Sequence, residues 1–162
     1  GICRFDGKKH DWMYEAHLTE LPDDAMFGIR SIIEDKDGAY WFCNLITGMH
    51  DAVESGVAEQ ANGQITYTRK NGIDLTSVPS GQDPIFFMSI VEDERGDLWM
   101  ATHGDGVWRY DGQKMTHHAI KEGDKVVTVF MIYKDDQGVL WLGTHEHGPY
   151  KFNGTRFERF KP

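Results

Sequence analysis

The feature that most constrains this chain is a segment written several times over. Residues 89–112 read SIVEDERGDLWMATHGDGVWRYDG, and most of this stretch recurs. Ser89-Ile90-Val91-Glu92-Asp93 matches Ser31-Ile32-Ile33-Glu34-Asp35, and Met131-Ile132-Tyr133-Lys134-Asp135 is a looser third copy. Three residues after each aspartate stands a glycine (Gly38, Gly96, Gly138), and three further on a tryptophan (Trp41, Trp99, Trp141). A bulky residue follows (Phe42, Met100, Leu142), then a small one (Cys43, Ala101, Gly143), then Asn44, Thr102 or Thr144. The second half repeats as well. Gly106-Val107-Trp108-Arg109-Tyr110-Asp111-Gly112 matches Gly148-Pro149-Tyr150-Lys151-Phe152-Asn153-Gly154 and also the first seven residues, Gly1-Ile2-Cys3-Arg4-Phe5-Asp6-Gly7. The chain is therefore read as starting inside a repeat. The tryptophans are 58 and then 42 positions apart, and the extra residues of the longer gap lie mostly between Leu45 and Gln64.

Each unit reads as short strands joined by turns. Within the best copy, 90–92 is strand a, 98–102 strand b, 107–110 strand c and 114–119 strand d. The turn at 93–96 carries a glycine suited to positive φ, and Asp111-Gly112 is a strong hairpin signal between c and d. Four short antiparallel strands recurring at about 40–45 residues is the period of a β-propeller blade. The fold class is thus all-β, with about three and a half blades. The reading makes residues 1–162 a single partial propeller domain: a half blade at 1–17, a blade at 29–69 with an insertion at 45–62, and blades at 85–120 and 126–160.

The pattern I-x-E-D-x-x-G-x-[LY]-W, a bulky and a small residue, T, and then G-V-x-R-[YF]-D-G resembles the two-component-regulator propeller repeat. The resemblance extends over nearly all of the chain, strongest at the copies beginning Ser89 and Met131. It is weaker at Ser31, where Cys43-Asn44-Leu45 replaces the small-Thr-Gly run. It implies a bacterial sensor module of the kind that forms ectodomains of hybrid histidine kinases, placed outside the cytoplasm and binding a small molecule or glycan.

About 14 strands fall short of the roughly 16 of the smallest closed propellers. An open arc exposes apolar blade faces and a sheet edge, so the expectation is a fragment of a longer protein or a homo-oligomer, a dimer first, that completes a ring. The net charge of −9 and pI near 5.3 argue against nucleic acid as partner, since phosphate binding needs basic patches. No apolar stretch approaches the ~20 residues of a membrane span, and no signal peptide is read at Gly1. Cys3 falls at the Trp108/Tyr150 position and Cys43 at the small position of strand b, so both read as packing cysteines.

In chain order, 10–16 is strand d of the half blade, 18–27 a crossover, and 45–62 an irregular Gly/Ala/acidic insertion with room for a short helix at 51–59. Residues 65–68 resume the strand pattern, 71–84 form a polar crossover, and Glu122-Gly123-Asp124 turns the chain into the last blade. The three equivalent tryptophans read as spacers between blades. Arg4, Arg109 and Lys151 recur on strand c and read as structural partners of Asp35, Asp93 and Asp135, or as a solvated edge. Aspartates capping the turns explain Asp35-Lys36-Asp37-Gly38 and Asp135-Asp136-Gln137-Gly138 better than calcium loops do, for the spaced ligands are missing. Asn153-Gly154-Thr155 matches a glycosylation sequon, but reads as a hairpin turn first.

All b–c connections lie on one face of a propeller, and there the chain places Thr102-His103-Gly104-Asp105 and Thr144-His145-Glu146-His147. His103 and His145 are repeat-equivalent and should sit one blade step apart, with His50 and Asp51 near the same place in the first full blade. The ligand-binding candidates are His103, Asp105, His145, Glu146 and His147. Histidines and acids on one face suit zinc, yet the spacing matches no metal motif and His145-Glu146-His147 is not H-E-x-x-H. No metal, cofactor or catalytic residue is therefore assigned. The leading function is a non-catalytic binding or sensing module with its ligand on the b–c face. One alternative is a propeller lyase or hydrolase, like the streptogramin lyases, working through His103, His145, Glu146 and His147. The other is a purely structural chain.

Overall fold

The structure is a computed structural model, and it describes residues 2–13, 29–44, 53–61, 64–70, 73 and 85–161. Every regular element among these is a strand. The half blade is β1 (Ile2–Phe5) and β2 (His10–Met13), paired antiparallel. The first four-stranded sheet is β3 (Ile29–Glu34), β4 (Tyr40–Asn44), β5 (Val53–Ala61) and β6 (Gln64–Lys70). The second is β7 (Phe87–Glu92), β8 (Leu98–Thr102), β9 (Val107–Tyr110) and β10 (Met115–His118). A small hairpin, β11 (Lys121–Glu122) and β12 (Lys125–Val126), leads into the third sheet: β13 (Val129–Lys134), β14 (Leu140–Thr144), β15 (Tyr150–Phe152) and β16 (Phe157–Arg159). In each four-stranded sheet the strands neighbour one another in chain order, the meander of a propeller blade.

The a–b turns form because one aspartate organises each of them. Asp93 Oδ1 accepts the amides of Arg95 and Asp97 at 2.9 and 3.0 Å, while Oδ2 accepts Trp99 Nε1 at 2.9 Å. Asp35 does the same for Asp37, Ala39 and Trp41, and Asp135 for Gln137, Val139 and Trp141. Each carboxylate thereby closes a turn and orients the indole of the following strand. The three pKa values all lie below the ordinary carboxylate value. At Asp35 and Asp93 burial pushes upward, and the hydrogen bonds outweigh it; at Asp135 the Trp141 indole is the leading cause.

The indoles then pack blade on blade. Trp41 joins the cluster of Phe87, Ile90, Met100 and Trp108 in the second sheet. Trp99, 1% exposed, belongs with Ile132, Leu140 and Phe157 of the third. Burying each such side chain contributes about 1.5–3 kcal/mol. Serines on the first strands tie the blades further: Ile90 N donates to Ser31 Oγ at 3.4 Å, and Ser89 Oγ donates to the Ile132 carbonyl at 3.3 Å. In the third blade the position belongs to Met131, and there Met131 and Tyr133 are 54% and 53% exposed.

The structure departs from the sequence reading in four places. Residues 53–61 form β5, neither helical nor irregular. The outer edge of β4 needs a partner for its backbone groups, and β5 supplies it with Trp41↔Ser55 and Cys43↔Val53 in register; pairing overrides a Gly/Ala-rich composition. The β11–β12 hairpin flanks the expected turn at Gly123. Arg109 does not pair with Asp93. Its Nε and Nη2 donate to Asp97 Oδ2, the Nε bond at 2.8 Å, and its guanidinium lies 5.5 Å over the Trp99 ring. Cys3 is exposed where Trp108 and Tyr150 are buried, because β1 pairs only with β2 and has no inner strands beside it among the described residues. Trp12 is exposed for the same reason. The crossovers at 18–27 and 71–84 (Ile73 apart) lie outside the described residues, as do Leu45, His50 and Asp51; nothing is described of the Cys43 side chain.

Candidate functional site

The b–c turns of the second and third blades are built alike. Thr102 Oγ1 donates to the Gly106 carbonyl at 2.9 Å, and Thr144 Oγ1 donates to that of Gly148 at 2.7 Å. Each turn anchors to the segment before its own blade's first strand: His103 N donates to the Phe86 carbonyl and His145 N to that of Thr128. Gly106 has φ +68°, and a Cβ there would collide with the His118 carbonyl oxygen. The turn can thus sit tightly against β10 only as glycine. These constraints put His103 and His145 at matching, exposed places.

Between them stands Phe130. Its ring centroid is 6.1 Å from that of His103 and 5.4 Å from that of His145, the latter edge-on at 85°. Phe130 is 41% exposed. The register of β13 against β14 shifts between Val129 and Met131, leaving Phe130 in the irregular position. The same shift falls at Arg30 in β3 and Met88 in β7. Such a bulge re-aims one side chain out of the strand's alternation, and here it points an aromatic ring at the loop face. The row His103–Phe130–His145 thus combines two turns and a bulge from two blades. Sequence reasoning reached the histidines through repeat equivalence and missed the phenylalanine. The available signal was its alignment with Arg30 and Met88, the least consistent position of strand a.

The other expected residues are placed differently. Asp105 is 7% exposed and turned inward. Its Oδ2 accepts Trp108 Nε1 at 3.0 Å, its carbonyl oxygen lies 2.7 Å from His117 Nε2, and the His117 ring stacks on Trp108 at 4.5 Å. Asp105 therefore holds the turn to the outer strands instead of facing the row. Glu146 is exposed, with Oε1 3.5 Å from His145 Nδ1, a surface contact worth little to stability. His147 is half-buried, and its amide donates to Thr144 Oγ1 at 3.2 Å. No group of three or more His, Cys, Asp or Glu among the described residues is arranged to hold a metal ion.

At the equivalent of the Trp108–Asp105 bond, the third blade makes a different one. Tyr150 Oη donates to Glu122 Oε1 of β11 at 2.5 Å. Burial first, then this carboxylate, pushes the Tyr150 pKa up to about 12, while the tyrosine hydrogen bond draws that of Glu122 down. Arg159 Nη1 lies 3.8 Å from the same carboxylate.

Comparison with known proteins gives a consistent picture of the repeats. The family model for the two component regulator propeller matches residues 80–104 and 123–146. Among solved structures, the chain is similar to the extracellular domain of the hybrid two component system BT3049 from B. thetaiotaomicron. That match has 20% identity and a TM-score of 0.65, covering 98% of this chain and 20% of that one. It is also similar to the extracellular domain of the hybrid two component system BT4673 from the same organism. Here the identity is 19% and the TM-score 0.50, over 80% of this chain and 16% of that one. The chain thus spans about a fifth or less of the length of these domains. No curated protein matches it. No helix among the described residues is long and apolar enough to cross a membrane.

Proposed function

We propose that this chain, a run of two-component-regulator propeller repeats, serves as a non-catalytic binding module whose ligand lies on the b–c face. The observation that carries this reading is the exposed row His103–Phe130–His145, two blades wide and aromatic throughout. Exposed aromatic rings with polar neighbours are a common way to hold a small organic ligand by its flat, apolar face. The similarity to extracellular domains of two component systems supports an extracytoplasmic role, and the ligand class put forward is a small molecule or glycan. Aromatic-proton NMR of the chain titrated with a panel of mono- and oligosaccharides and small aromatic acids tests it. A ligand should shift the His103, His145 and Phe130 ring signals, and Phe130→Ala should abolish the effect. Ligands whose shifts map elsewhere and survive Phe130→Ala overturn the reading.

Self-assembly belongs to the same proposal. Met131, Tyr133 and Phe160 remain 54%, 53% and 42% exposed on the third blade, at places where the preceding blades are covered by a neighbour. Light scattering on the eluting protein should give a mass near twice 18.5 kDa. A stable monomer refutes dimeric closure and leaves the binding face in place.

A further inference from the structure

A groove of about 550 Å3 runs between the departing end of the second blade and the outer strands of the third, a volume within the range of small-molecule sites. Tyr150 and Phe157, both buried, line its base. Lys121 and Glu122 of β11 form one wall, and Arg156, Glu158, Arg159 and Lys161 the other. None of these belongs to the His103–Phe130–His145 row.

The charges in the groove do not cancel. Arg156 is held by Glu158, with Nε at 2.9 Å and Nη2 at 2.7 Å from Oε1. Glu122 is already engaged by the Tyr150 hydroxyl at 2.5 Å, and Arg159 reaches it only at 3.8 Å. Most of the five guanidinium donors of Arg159 therefore stay available. Lys121 and Lys161 make no ion pair among the described residues. Two lysines and a partly engaged arginine thus converge on a concave surface, in a chain whose net charge is −9. An acidic protein that gathers four cations against two carboxylates over a buried aromatic base has built a place for negative charge. The fork of Arg159 suits the paired oxygens of a carboxylate or a tetrahedral oxyanion, and the lysines suit it as point charges.

We propose that the groove between β11 and β16 binds a ligand bearing an oxyanion group, a carboxylate or a sulfate or phosphate ester, with Arg159, Lys121 and Lys161 as its donors. The hairpin β11–β12 is what makes the site, since it carries Lys121 and the Glu122 that fixes Tyr150. The proposal is independent of the aromatic row.

The test is an amide NMR titration of the whole chain with sodium sulfate and, separately, sodium acetate at constant ionic strength, with sodium chloride as reference. Saturable shifts should appear at Lys121, Glu122 and Arg159. Lys121→Gln combined with Lys161→Gln should weaken binding about tenfold, equivalent to about 1.4 kcal/mol. Arg156→Gln, whose parent side chain is tied to Glu158, should change it less than twofold. Sulfate alone would assign a tetrahedral oxyanion; both anions would bring carboxylates within the ligand class. Shifts that chloride reproduces, or that the double variant leaves unchanged while its urea midpoint matches wild type, overturn the proposal; should the double variant unfold, Lys121→Gln alone decides by the same criterion. Phe130→Ala leaves this response intact, so the two sites fail separately.

Discussion

Replacing Asp93 by alanine probes the device shared by the three four-stranded sheets. The substitution removes three hydrogen bonds at once: two from the Arg95 and Asp97 amides and one from Trp99 Nε1. The Arg95 amide lies at the exposed end of the turn and meets solvent when freed, whereas Asp97 is 7% exposed. The indole N–H meets no solvent, for Trp99 is 1% exposed between two blades. A net contribution of about 1 kcal/mol per bond, with an added penalty for a buried donor left unpaired, puts the cost at about 3–4 kcal/mol. Asp93→Asn separates the contributions. The amide oxygen can replace Oδ1 and keep the turn, but the NH2 group then faces the indole N–H, so the Trp99 bond is lost. Asn should therefore fall between wild type and Ala. Asp135→Ala removes the equivalent bonds from Gln137, Val139 and Trp141. Trp141 is only half-buried, so its freed N–H meets water and the variant should be clearly the milder of the two. The assay is urea unfolding followed by tryptophan fluorescence and circular dichroism, comparing midpoints at unchanged slope. Asp93→Ala and Asp135→Ala equal within about 0.5 kcal/mol, or Asp93→Asn as stable as wild type, would refute the argument that the buried indole bond dominates. The pH dependence has a fixed sign. The Asp93 pKa is lowered in the fold, so its stabilisation is present above the ordinary value of 3.8 and is lost as pH falls through the lowered one.

Other consequences are as direct. Gly106→Ala should destabilise strongly, because it adds a collision with the His118 carbonyl to the strain of φ +68°; Gly112→Ala, at φ +90° with open space, carries only the strain of about 1 kcal/mol, and thermal melts of the pair distinguish the two. His118 Nε2 is buried without a hydrogen bond, and burial first, then Arg109 and His117, holds its pKa below 6.5. The fold favours the neutral ring, so stability is held above pH 6.5 and lost as pH falls through the lowered value; His118→Gln should show a smaller drop in urea midpoint between pH 7 and 5. Tyr150 should ionise late, at about 12, in ultraviolet titration. Its raised value means that its contribution is complete below 10 and lost as pH rises through 12. Glu122→Gln should move that titration downward.

Much of the architecture could be read from the chain because the forces that shape a blade act over short sequence distances. Asp93, Gly96 and Trp99 lie within one turn and the strand that follows, so their pattern recurs with the repeat and identifies itself. The same holds for Asp111 and the hairpin it caps, whose Oδ1 accepts the Gln113 and Lys114 amides. Repeat equivalence also located His103 and His145. What it could not supply is anything that depends on a neighbouring blade or on a missing one. β5 is a strand because β4 has an edge to satisfy, although its own residues are poor strand formers. Cys3 shares a sequence position with Trp108 and is nevertheless exposed, because burial belongs to the surroundings and not to the residue. Phe130 reaches the histidines through a shift in backbone register, and Tyr150 finds Glu122 on a two-residue strand too short to leave a periodic trace. Sequence alone determined the blade, its turns and the face that carries the b–c connections. The tertiary structure decided which side chains meet on that face, because such meetings are set by packing between blades, where the repeat no longer dictates the partner.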